Sequence, residues 1–211
     1  MNSWNTWNAW NPRPRRRAVL AGALLLVAAT AARAAATQEA IIKQTIDAAF
    51  AVLKDKSLAG REKRPQRIAA LRAVADRAFN WAEMARSSLG AQWRSLDSQQ
   101  RARFVEVFKE VLAARYMDDI DRFQGTETVT VDGSAQQDEE VVVRTTLVTG
   151  SRERVPIDYR MRAQQGAWTV VDINIEGVSL VNHFLKTFAG ALANMTIDQL
   201  IERLRGQRPH P

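Results

Sequence analysis

Gly177-Val178-Ser179 is where residue types and spacing in this chain come nearest to catalysis. A serine on a sharp strand-to-helix turn can act as a nucleophile when a histidine and an acid stand behind it. Here the fifth position of that motif is Val181 rather than glycine, and no Asp and His partner follows. Outside the first 34 residues there are two histidines. His210 sits in the C-terminal tail, and His183 lies on the helix after Gly177, where it reads as a surface or rim residue rather than a general base. Asp118, Asp119 and Asp121 could face a cation, but they lack the glycine turn and the distal glutamate of a calcium loop. They read as a solvated helix end. Gly150 and Gly166 are isolated turn glycines, so neither opens a phosphate-cradling loop. The chain has no cysteine, which removes thiol catalysis and thiolate metal ligands. The residues therefore predict no enzyme, no metal and no cofactor.

The elements that carry these residues fall into a helical half and a strand half. Ile41, Ile42, Ile46, Ala49 and Phe50 form an apolar stripe from about Gln38 to Lys54. A second stripe runs through Ile68, Leu71, Val74, Ala75 and Phe79. Asn80 with Glu83, Asp97 with Gln100 and Thr196 with Gln199 have the spacing of capping boxes. The long helix opened by Asp97 carries Phe104, Val107, Phe108, Val111, Leu112 and Tyr116 on one side.

Strands then take over. Glu127 to Val131 and Glu140 to Val148 are β-rich, with Ser134 to Glu139 read as a loop. Val155, Ile157, Tyr159 and Met161 alternate with Pro156, Asp158, Arg160 and Arg162, the pattern of a sheet with one dry and one wet face. Trp168 to Glu176 repeats the signal, and Gly177 ends it before a helix with Leu180, Val181, Phe184 and Phe188 at helical spacing. The prediction is an α+β fold with a four-stranded antiparallel meander packed with several helices.

Residues 1–34 read as a cleaved export signal and residues 35–211 as a single domain. Arg13, Arg15, Arg16 and Arg17 precede the apolar run Ala18 to Ala32, and Ala32-Arg33-Ala34 suits a small-residue cleavage site. The run is shorter than the ~20 residues of a membrane span. The arginine pair permits either the Sec or the twin-arginine route, and a periplasmic location follows. Five of the 30 basic residues and none of the 23 acids lie in this leader, so the remainder carries 25 against 23. The high pI therefore belongs to the leader, and no nucleic-acid partner is read from it.

Four segments together resemble the MlaC, or toluene-tolerance, family of periplasmic phospholipid-binding proteins, auxiliary components of an ABC transporter. They are Phe79-Asn80-Trp81-Ala82-Glu83-Met84-Ala85-Arg86 with Leu89-Gly90 and Trp93-Arg94; Asp97 to Phe108, with Gln100-Arg101; Val155-Pro156-Ile157-Asp158-Tyr159-Arg160; and Trp168 to Leu180, ending in Glu176-Gly177-Val178-Ser179-Leu180. The chain departs from many relatives after Asn182: where they carry an aromatic residue followed by arginine, it has Phe184-Leu185, with Lys186 as the nearest cation.

The resemblance implies an NTF2-like sheet with an apolar cavity between sheet and helices, and a bound phospholipid as ligand. It also implies transport between an outer-membrane lipoprotein-porin complex and an inner-membrane MCE/ABC transporter, which maintains outer-membrane lipid asymmetry. A branch of the family is associated with hopanoids, and that ligand is the alternative. An enzyme on the same sheet, using Asp172, is the alternative of another class. Two chains of ~16 carbons hold roughly 30 methylenes, each costing ~0.8 kcal/mol to expose, or on the order of 25 kcal/mol in all. A soluble carrier must therefore enclose them. The tail-facing candidates are Phe104, Phe108 and Leu112 on the long helix, Ile157 and Tyr159 on one strand, Val171 and Ile173 on the next, and Phe184 and Phe188 on the roof. Tyr159 is expected at the mouth with its hydroxyl toward water. Spacing gives the direction each residue faces; it leaves open whether the faces meet in a solid core or enclose a cavity.

Overall fold

The first helix, α1 (Gln38–Lys54), is capped by Thr37, whose hydroxyl accepts from the Ala40 amide at 3.2 Å. Its apolar stripe buries Ile42 against the sheet. This is a computed structural model that describes residues 36–115 and 121–206. The leader expected over residues 1–34, and Tyr116, Asp118, Asp119 and His210, lie outside the described residues.

A short 3-10 turn follows, and α2 (Arg64–Ala78) begins with Pro65 in its first turn, where the missing N–H costs nothing. Asn80 caps α3 (Trp81–Leu89) by accepting from the Glu83 amide at 3.0 Å. Asp97 and Gln100 close a reciprocal box, at 2.7 and 3.2 Å, at the start of α4 (Ser98–Arg115). After the strands come α5 (Leu180–Leu192) and α6 (Ile197–Gly206).

The sheet is an antiparallel meander in chain order: β1 (Thr128–Gln137), β2 (Glu140–Val148), β3 (Arg154–Gln164), β4 (Ala167–Ile175) and β5 (Val178–Ser179). Five strands replace the four expected. Glu176 and Gly177 both have positive φ, 51° and 84°, which is the geometry of a tight two-residue hairpin turn. Gly177 therefore reverses the chain before the helix starts, and Val178 pairs with Ile175. The loop expected over Ser134 to Glu139 is also corrected. A bulge at Asp132 shifts the register, and β1 continues to Gln137 opposite β2.

The inner face of the sheet carries the cross-strand rows Val141–Met161–Val170 and Val143–Tyr159–Ile173, and α1 covers part of it through Ile41, Ile42 and Ile46. The outer face carries charge. Arg162 pairs with Glu83 at 2.9 Å and with Glu140, and Arg160 pairs with Glu140 at 3.2 Å. A second bulge sits in β4. Arg160 faces Asp172 and Met161 faces Val170, which leaves Val171 as the extra residue. A second apolar cluster, of α3, α4, α5 and α6, packs around Phe104, Phe108, Phe188, Met84 and Ile201. No described helix is long and apolar enough to cross a membrane.

Candidate functional site

The site begins at the joint between α2 and α3. Phe79 bridges to Val170 in parallel fashion, and the Asn80 amide donates to the Val170 carbonyl at 2.9 Å. The sheet thus anchors the chain at the point where α2 ends. Phe79 and Trp81 stack face to face, 5.0 Å between centroids. α2 ends at this joint, α3 begins there, and α4 follows in the chain. Between the three lies a cleft of about 390 Å³. Ile68, Leu71 and Ala75 of α2 form one wall, Leu112 and Ala113 of α4 the other, and Ile173 and Leu180 the floor.

Five charged residues also line the cleft, and Arg72, Asp76 and Glu106 among them are exposed. Arg72 and Asp76 come from α2, and Glu106, Lys109 and Glu110 from α4. Asp76 accepts from the Trp81 indole N–H at 2.7 Å, and the Lys109 ammonium lies 3.5 Å from Asp76 and 3.4 Å from Glu106. An apolar trough with an ionic border can take up a long hydrocarbon while leaving a polar end in water.

The residues expected to face a ligand divide into groups. Leu112 and Ile173 line the cleft. Phe184 lines a second hollow of about 300 Å³ with Ile175, Val178, His183 and Arg115; Leu180 borders both hollows. Phe104, Phe108 and Phe188 are fully buried and packed against one another. Phe104 meets Phe188 edge-on at 5.5 Å, and Phe108 meets Phe184 edge-on at 5.4 Å. They line neither hollow. Ile157 lies opposite Ile175 in the sheet, with its carbonyl accepting from Thr145 at 2.8 Å. The β4 bulge separates Val171 from Ile173. Val171 borders a small polar hollow of about 90 Å³ with Asn80, Glu83 and Arg162. Tyr159 packs, partly buried, against the apolar cluster under α1, and burial pushes its phenol up to about 12.

The α2 wall was not among the expected ligand residues, although its stripe was visible. The signal was an incompletely covered helix stripe: of α2, only Ala78 is fully buried, and Ile68, Leu71 and Ala75 remain half-covered along the cleft.

The candidate catalytic groups have structural duties. The Ser179 hydroxyl donates to Asp172 at 2.6 Å and accepts from the Asn182 amide, which caps α5. The second Asp172 oxygen accepts from the Val181 amide at 3.1 Å. His183 is exposed at the border of the second hollow. Asp121 is paired with Arg64 at 2.8 Å and with Arg67 at 2.9 Å. Among the described residues no group of three or more His, Cys, Asp or Glu is placed to hold a metal ion.

A family model of the MlaC protein matches residues 43–206, a span holding every helix and strand that builds the cleft. The chain belongs to the MlaC family. Its fold is similar to that of a phospholipid-binding protein from Ralstonia solanacearum solved in complex with a phospholipid. The TM-score is 0.71 at 24% identity, over 82% of this chain and 96% of that one. No curated protein matches the chain at a significant level. The first resembling segment, Phe79 to Arg86, is thus a structural joint in this MlaC-family chain: it anchors to Val170, caps α3 and supplies Trp81 and Met84 to the cleft.

Proposed function

We propose that this MlaC-family chain is a lipid carrier that takes phospholipid tails into the cleft between α2, α3 and α4. The observation that carries this reading is a predominantly apolar trough of about 390 Å³ whose lining also includes the exposed Arg72, Asp76 and Glu106. The size falls in the range of small-molecule sites, roughly 300–1,000 Å³. The phospholipid held by the similar Ralstonia solanacearum protein supports the same ligand class. Two tails would divide between the cleft and the neighbouring hollow, with Leu180 as the shared wall. The packed phenylalanines of α4 and α5 would hold that wall rigid.

In this reading the protein is exported by its N-terminal leader and works in the periplasm. It would exchange lipid with an outer-membrane lipoprotein-porin complex and an inner-membrane MCE/ABC transporter. The carrier would supply no energy itself; direction would come from the partners' affinities and from ATP used at the inner membrane.

The test is lipid extraction from protein purified without detergent, followed by mass spectrometry. Diacyl phospholipid in near-stoichiometric amount is the expected result. A polycyclic hopanoid instead would move the chain to the hopanoid branch. No lipid on the purified protein, and none acquired from phospholipid vesicles, would overturn the proposal.

A further inference from the structure

Three helices are tied together at one end of the cleft. Asp76, near the end of α2, accepts from the indole N–H of Trp81, the first residue of α3, at 2.7 Å, and pairs with Lys109 of α4 at 3.5 Å. The Trp81 ring lies nearly parallel to that of Phe79, with 14° between their planes, and Phe79 is itself bridged to Val170 of β4. A side chain held by a stack on one face and a hydrogen bond at its edge is oriented before any ligand arrives. Trp81 and Met84 carry the lining of the cleft from α2 across to α3.

We propose that Trp81 is the end stop of the cleft and limits the length of acyl chain that it takes. The inference rests on the carrier reading above and names the class of tail that the same cleft accepts. The lining of α2 runs from Ile68 to Phe79, a rise of about 16 Å at 1.5 Å per residue. A hydrocarbon zigzag with C–C bonds of ~1.5 Å and near-tetrahedral angles advances about 1.25 Å per carbon, so about 13 carbons reach from Ile68 to the stop. Chains of ~14 carbons therefore fit against Trp81, and chains of ~18 do not. Each methylene left in water beyond the stop lowers affinity roughly fourfold.

The experiment offers delipidated protein mixed vesicles of dimyristoleoyl and dioleoyl phosphatidylglycerol, which share a head and differ in chain length, in equal amounts. The protein is re-isolated and the two lipids are counted by mass spectrometry. The wild type should take the shorter lipid in excess. Trp81→Ala should lower the ratio of short to long by about fourfold or more, the effect of one or more further methylenes covered. Asp76→Ala keeps the indole but removes its tie, and should lower the ratio part of the way. The ratio is read only from loaded protein, so partial loss of fold weakens the signal without moving it. A second measurement does not need the alanine variant. Lipid brominated near the methyl end of its chains should quench tryptophan fluorescence more than lipid brominated near the carboxyl, and Trp81→Phe should remove the difference. Stronger quenching by the carboxyl-end bromines would put Trp81 at the mouth and overturn the inference. Equal uptake of both lipids by the wild type, or an unchanged ratio in Trp81→Ala, would also overturn it and leave the carrier reading intact. Uptake of neither lipid by the wild type would overturn the carrier reading itself.

Discussion

Ser179 donates its hydroxyl to the Asp172 carboxylate at 2.6 Å, across the hairpin between β4 and β5. The same carboxylate receives the Val181 amide, so one buried acid fixes both the last strand and the first turn of α5. Both Asp172 oxygens thus accept a hydrogen bond from within the fold.

Removing the acid strands the groups it satisfies. Asp172→Ala should cost about 2–4 kcal/mol of stability, because a buried hydroxyl and a buried amide both lose their acceptor. Ser179→Ala should cost about 1–2 kcal/mol through loss of the cap. Urea unfolding checks both. A wild-type midpoint for Asp172→Ala would remove the structural role assigned to it.

Val171 and Ile173 should respond differently to the same substitution. Ile173→Trp places an indole in the floor of the cleft and should cut lipid content severalfold. Val171→Trp crowds the small hollow beside Arg162 and Glu83, and should cost about 1–3 kcal/mol of stability through overpacking. Its folded fraction should keep lipid content close to wild type. Lipid phosphorus per mole of protein, measured beside urea midpoints, separates the two effects.

Tyr159 predicts an alkaline weakness. Burial raises its phenol from 10.0 to about 12, so folding favours the protonated form. Below pH 10 both states hold the proton and the contribution is complete. Between pH 10 and about 12 the unfolded chain ionises first, and stability should fall by about 1.4 kcal/mol per pH unit from this group. Tyr159→Phe should flatten that decline in unfolding free energy. An identical decline in the variant would place the phenol in water.

Glu83 predicts the opposite limb. The hydrogen bond from Arg86, helped by the charge of Arg162, holds its carboxyl below its ordinary 4.5 despite partial burial. Its contribution is therefore present above pH 4.5 and lost as the pH falls through the lowered value. Glu83→Gln should be less stable than wild type at neutral pH, and the difference should shrink in acid. Thermal midpoints at pH 7 and at roughly pH 3 check the sign.

Local signals in the sequence carried over well. Asp97 with Gln100 and Thr196 with Gln199 each form both hydrogen bonds of a capping box, because every atom needed lies within four residues. Asn80 caps α3 as its spacing implied, yet Glu83 turns away to Arg86 and Arg162, a partner 79 residues on that no local pattern encodes. The alternation from Val155 to Met161 marked the dry face of β3. In β4 the bulge at Val171 interrupts the period of two, and one extra residue separated two positions expected to act together. The phenylalanines of α4 and α5 were legible as inward-facing. Their mutual contact depends on helix crossing, which spacing does not specify.

α2 packs on α1 but leaves its cleft-side stripe lightly covered. Fifteen residues long, it buries one side chain fully, whereas α4 buries four. Its Ile68, Leu71 and Ala75 thus leave apolar surface half-covered along the cleft, surface that a hydrocarbon guest would take out of water.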